Sequence, residues 1–115
     1  MSDLKTIQQK LKNFAKERDW EQFHSPKNLS MALSVEAAEL MELLQWSNSG
    51  GLEEINDPDT RAQVEKEIAD IFNYILRIAD VLDMDLEQVA LQKISENELK
   101  YPVEKFKGIA KKYNK

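Results

Sequence analysis

The 115 residues contain no cysteine, which removes disulfides, zinc thiolates and a cysteine nucleophile together. Glycine and proline are scarce, three of each. Neither β-branched alternation nor a hairpin dipeptide between alternating apolar runs occurs, so the chain reads as all-α. No apolar run approaches the roughly 18 residues that would span a membrane, and the N-terminus lacks the apolar core of a signal peptide. A cytoplasmic protein with no membrane partner is expected. The one histidine, His24, has no glutamate three residues before it, which disfavours a Glu-x-x-His di-iron centre. The formal charge of −5 argues against a nucleic-acid polymer or an anionic membrane as partner. It leaves room for a phosphorylated small molecule, because a bound cation reverses the local sign.

Four helices are expected in one domain spanning residues 1–115, packed as a four-helix bundle. Leu4, Ile7, Leu11, Phe14 and Ala15 place the first between about Asp3 and Arg18. Ser25-Pro26 is an N-cap and N1 pair opening a second helix to about Trp46. That helix is apolar almost all round, so it needs cover on several sides and predicts a helical homo-oligomer. Gly50-Gly51 and Asp57-Pro58 break the pattern over Ser47 to Asp59, with a helical turn expected around Leu52 to Ile55. A third helix is expected from Thr60 to Leu82 with a core stripe of Ile68, Ile71, Phe72, Ile75, Ala79 and Leu82, and a polar seam of Glu67, Asp70, Tyr74 and Arg77 on an adjacent face. Asp85 with Gln88 resembles a capping box opening a fourth helix to about Lys100, before Pro102. The tail from Val103 is basic and weakly patterned.

Two acidic pairs concentrate the chemistry. Glu36 and Glu39, and then Glu67 and Asp70, each lie three residues apart, one helical turn along a single face. The first pair sits within the apolar stripe of Leu29, Ala32, Leu40 and Leu43. Burying unpaired carboxylates is costly, and an oxygen-rich acidic cluster suits Mg²⁺ or Mn²⁺ better than zinc. The plainer alternative is solvated salt bridges on exposed faces. Trp20, Phe23, Trp46 and Tyr74 could stack on a nucleobase or simply pack the core. His24 taken alone reads as a structural or capping residue. Lys93, Asn97, Lys100 and Tyr101 share one region of the fourth helix and its end, either as phosphate donors or as a basic helix terminus.

Glu36-x-x-Glu39, a 27-residue interval and Glu67-x-x-Asp70 together resemble the metal signature of the MazG-like all-α nucleoside triphosphate pyrophosphohydrolases. Trp20-Glu21-Gln22-Phe23-His24, Pro26-x-Asn28-Leu29, Glu39-Leu40-x-Glu42-Leu43, Gln45-Trp46 and Lys93-x-x-x-Asn97-x-x-x-Tyr101-Pro102 resemble its dCTP pyrophosphatase branch. The resemblance implies Mg²⁺-dependent hydrolysis of a deoxynucleoside triphosphate, dCTP or a relative, to the monophosphate and pyrophosphate. It implies a homotetramer, with a dimer as the minimum. Glu36, Glu39, Glu67 and Asp70 would hold the metal, with Glu36 or Glu39 as catalytic base. Trp20, His24, Trp46 and Tyr74, together with Lys93, Asn97 and Tyr101, would bind substrate. That branch carries a histidine near the base where this chain, aligned through Phe14 and Trp20, has Leu11. An apolar side chain cannot supply that hydrogen bond, so a relaxed base preference extending to dATP or modified nucleotides is expected. The alternatives are a dUTP-type or phosphoribosyl-ATP pyrophosphohydrolase and a non-enzymatic helical oligomerisation module.

Overall fold

The computed structural model describes residues 3–114, and every regular element among them is helical. The elements are α1 (Leu4–Glu17), a 3₁₀ turn (Glu21–Phe23), α2 (Pro26–Leu44), α3 (Leu52–Ile55), α4 (Pro58–Val81), α5 (Leu86–Lys100) and α6 (Val103–Phe106). The chain divides into two compact units, the first ending at Asp83 and the second beginning at Met84. The fold is all-α. None of the described helices is long and apolar enough to cross a membrane.

Each long helix starts on a side-chain cap. Asp3, Ser25, Asp57 and Asp85 accept from the backbone N–H of Thr6, Asn28, Thr60 and Gln88, satisfying donors that the first helical turn leaves open. Asp57-Pro58, expected to close a loop, instead repeats the Ser25-Pro26 device, and α4 begins two residues earlier than Thr60. At the other end α2 stops at Leu44, before Trp46.

The first unit is built on the pairing of α2 with α4, with α1 laid against α4. Leu76 and Leu29 are its largest fully buried side chains, supported by Ala15, Ala79 and Val64. The stripe expected on α4 is partly displaced. Ile68, Phe72 and Leu82 stay at least one-third exposed, Ile71 and Ile75 are partly buried and Ala79 is buried, while Val64, Leu76 and Arg77 outside the stripe are buried as well. The buried side therefore includes part of the polar seam of Glu67, Tyr74 and Arg77, because α2 and α1 cover that flank of α4. On α2 the expected stripe is the covered one, with Leu29 buried and Ala32, Glu36, Leu40 and Leu43 partly so.

In the second unit α5 carries Leu91, Ile94 and Leu99 largely exposed. Tyr101 ends it, meeting Phe106 edge-on at 4.9 Å and Tyr113 at 5.7 Å between ring centroids. The one turn of α6 has no counterpart in the sequence pattern. Pro102 caps it with its fixed extended backbone, after which the helix lasts only four residues.

Candidate metal and nucleotide site

Glu36 projects from the middle of α2, and Glu67 and Asp70 from the middle of α4, where the two helices pair. One carboxylate oxygen from each of the three lies within 4.8 Å of the other two. Glu36 and Glu67 each bury Oε2 without a hydrogen-bond partner. Three like charges at this separation repel strongly in a partly desolvated setting. The consequence falls on Glu36, whose carboxyl is pushed up to about 7. Burial is the main cause, followed by the neighbouring carboxyls of Glu67, Glu39 and Asp70. Glu39 thus joins the cluster electrically while standing exposed at its edge, outside the three closest ligand positions.

Glu36 and Asp70 also line a cavity of about 450 Å³. Ile7, Lys10, Leu11, Phe14 and Ala15 come to it from α1, and Asn73, Tyr74 and Arg77 from α4. Trp20 and His24 enter from the connection between α1 and α2. The chain reaches Trp20 through a Schellman turn. Asp19 adopts φ 55°, its N–H donates to Lys16 O at 3.1 Å, and Trp20 N–H donates to Ala15 O at 2.9 Å. That turn sets the Trp20 ring edge-on to Phe14, with centroids 5.7 Å apart. His24 closes the following 3₁₀ turn with its N–H on Glu21 O at 3.2 Å. Its Nδ1 is buried without a partner. Burial and the Arg77 charge hold its imidazole below the ordinary value, against a smaller opposite pull from Glu21.

Of the residues singled out by sequence, Glu36, Glu67 and Asp70 converge, with Glu39 beside them, and Trp20, His24 and Tyr74 share the adjoining cavity. Trp46 lies just beyond α2, 88% exposed and outside the cavity lining. Lys93, Asn97 and Tyr101 belong to the second unit. There Lys93 Nζ lies 3.5 Å from Glu96 and Asn97 O accepts from Tyr101 N–H at 2.8 Å. The polar lining holds three further residues, Lys10, Asn73 and Arg77. Arg77 continues the Glu67, Asp70, Tyr74 seam by one turn, which was the available signal for it. Asn73 had none, since it lies on neither the core stripe nor the polar seam of that helix.

A model of the MazG-like family matches residues 31–115. The chain is 40% identical over 111 residues to dCTP pyrophosphatase 1 of Mus musculus and 37% to that of Homo sapiens, covering 96% of its own length. It spans 65% of the length of each of these relatives. A crystal structure of a pyrophosphatase from Archaeoglobus fulgidus matches with a TM-score of 0.81 and 34% identity, over 89% of this chain and 94% of that one. With the helical fold, the paired acidic signature and these likenesses in agreement, the chain belongs to the MazG-like family.

Proposed function

We propose that this chain hydrolyses a deoxynucleoside triphosphate, dCTP or a close relative, to the monophosphate and pyrophosphate with the help of Mg²⁺, for which Mn²⁺ can substitute. The observation that carries the reading is the convergence of Glu36, Glu67 and Asp70 beside a cavity of about 450 Å³ walled by Trp20, Tyr74 and apolar residues of α1. The donor set fits a hard divalent cation: all oxygen, net negative, with two buried oxygens lacking partners. Glu36, Glu39, Glu67 and Asp70 would hold it. When bound, such a cation supplies positive charge and Lewis-acid polarisation at phosphate oxygens. The names of the dCTP pyrophosphatase relatives support the substrate class.

The chain's own part is positioning and proton handling. A water attacks the α-phosphorus, a new P–O bond forms, and the bond to the bridging oxygen breaks so that pyrophosphate leaves. Glu39, exposed at the rim of the cluster, is the carboxylate we assign to accept the water's proton; Glu36 is the alternative. Trp20, Tyr74 and His24 would hold the base and sugar in the cavity. Trp46, Lys93, Asn97 and Tyr101 stay in the proposed substrate set by their likeness to the dCTP pyrophosphatase blocks. We place the enzyme in the cytoplasm as a homotetramer. Its support is the exposed apolar surface of α2, where Met31, Val35 and Met41 are each more than half exposed. Pyrophosphate release from a panel of nucleoside triphosphates, with and without Mg²⁺, tests the reading. Cation-dependent release from deoxynucleotides supports it, and none from any triphosphate defeats it in favour of a non-enzymatic oligomerisation module.

A further inference from the structure

The loop that leaves α2 is held by a carboxylate from beyond it. In a capping box the third residue of a helix turns its side chain back on the N–H of the cap residue. Glu54 is the third residue of the short α3, yet the N–H of the cap, Gly51, donates to Ser49 Oγ at 3.1 Å. The Glu54 carboxylate reaches further back. It accepts from the Asn48 N–H at 2.8 Å, the Gly50 N–H at 2.8 Å and the Ser49 hydroxyl at 3.3 Å. These donors, the Asn48 N–H foremost, hold its carboxyl below the ordinary carboxylate value, so the acceptor stays charged at neutral pH. Gly50 supplies the φ of 65° on which the turn depends.

Glu54 thus fixes residues 48–50 and leaves the cap of its own helix to Ser49. What the fixing serves lies just before it. The Ser47 N–H and hydroxyl both turn back to Leu44 O, at 3.1 and 2.6 Å. Trp46 therefore stands between two anchors, the end of α2 on one side and the Glu54 latch on the other. Its ring is the most exposed of the large apolar side chains among the described residues, at 88%. Tryptophan is ordinarily well covered. A pinned backbone beneath a bare indole suits a face kept ready for a flat ring, since freedom removed beforehand is not lost on binding.

We propose that Glu54 is a positioning residue: its carboxylate latches the Ser47–Gly51 loop and so holds Trp46 where the indole stacks on the base of the nucleotide. The assignment rests on the nucleotide reading above, in which Trp46 stands by likeness although it is outside the cavity lining. Stacking is tolerant of the base, because every base offers a flat face. The latch therefore sets how tightly a nucleotide is held and leaves the choice among bases to other residues. Glu54 acts only through Trp46, so its removal should change binding and spare the chemical step.

Calorimetric titration of the full chain with dCMP, in buffer containing Mg²⁺, reads affinity without relying on turnover. Trp46→Ala should weaken dCMP about 5-fold or more, the effect of losing one base–aromatic stack. Glu54→Gln keeps the shape but turns one acceptor oxygen into a donor, and Glu54→Ala removes the acceptor outright. Each should weaken dCMP roughly 3-fold, through lost preorganisation of the ring. Combined with Trp46→Ala, neither should weaken it further, because the ring they position is gone. In dCTP hydrolysis the Glu54 variants should raise KM and leave kcat within about 2-fold of the parent. Unchanged dCMP affinity in both Glu54 variants would overturn the proposal. An equal loss with and without the Trp46 ring, in variants of native melting behaviour, would overturn it too, as would full affinity in Trp46→Ala. The nucleotide reading fails by a different sign, the absence of any dCMP binding by the unaltered protein, and the latch's role falls with it.

Discussion

Glu36 on α2 and Glu67 on α4 bring carboxylate oxygens within 4.8 Å of one another, and each keeps Oε2 buried without a partner. Two helices that are otherwise held together by Leu29, Leu76 and their neighbours thus meet on a repulsive contact. Stability alone does not call for that arrangement. A bound divalent cation converts the repulsion into attraction.

Replacing Glu67 by Gln keeps shape and removes one charge. In metal-free buffer Glu67→Gln should melt at or above the unaltered protein, because the Glu36 oxygens lose a like charge. Addition of Mg²⁺ or Mn²⁺ should raise the melting temperature of the unaltered protein but scarcely that of the variant. Differential scanning calorimetry at graded cation concentrations reads both effects. A variant stabilised as strongly by the cation as its parent would remove Glu67 from the ligand set.

The Glu36 carboxyl, pushed up to about 7 from an ordinary 4.5, predicts the sign of a pH effect. Between those values the metal-free folded chain holds a proton that the unfolded chain has released, so stability declines as pH rises from about 4.5 to about 7. His24, held below its ordinary value, acts oppositely: its contribution is present above pH 6.5 and lost on acidification. The two are separated by comparison with Glu36→Gln. That variant should lose the decline toward neutral pH while keeping the His24 slope. Cation affinity should rise through the same window, since the ion competes with the Glu36 proton.

Val35 on α2 is 56% exposed, between Met31 at 60% and Met41 at 67%. If copies of the chain cover this face, Val35→Lys should lower the mass measured by light scattering while the helical circular dichroism signal persists. A single exposed substitution on an uncovered helix would change stability by only about 0.5 kcal/mol. An unaltered mass would place the contact between copies elsewhere.

The helices were legible because their punctuation is local. Ser25-Pro26 and Asp85 with Gln88 sit at observed N-caps, and the Leu29, Ala32, Leu40 and Leu43 stripe is the covered face of α2. Asp57-Pro58 was misread because a break signal and a start signal share the same residues. On α4 periodicity could not choose between two adjacent stripes. Ile68 and Phe72 look like core by composition, but the flank bearing Glu67 and Arg77 is the one covered by α2 and α1. Spacing put each acidic pair on one helical face, while the meeting of Glu36, Glu67 and Asp70 comes from the pairing of α2 with α4. The Asn73 and Arg77 lining depends on where α1 lies, which no local pattern encodes.

The most direct measurement of the central claim is hydrolysis of dCTP in ¹⁸O-labelled water with Mg²⁺, comparing the unaltered protein with Glu67→Ala and following label into both products. The account predicts labelled dCMP, unlabelled pyrophosphate, and at least a 100-fold slower reaction for the variant, on the order expected when a charge-stabilising group is removed from a phosphoryl-transfer site. Label in pyrophosphate, or equal turnover by Glu67→Ala, would contradict it.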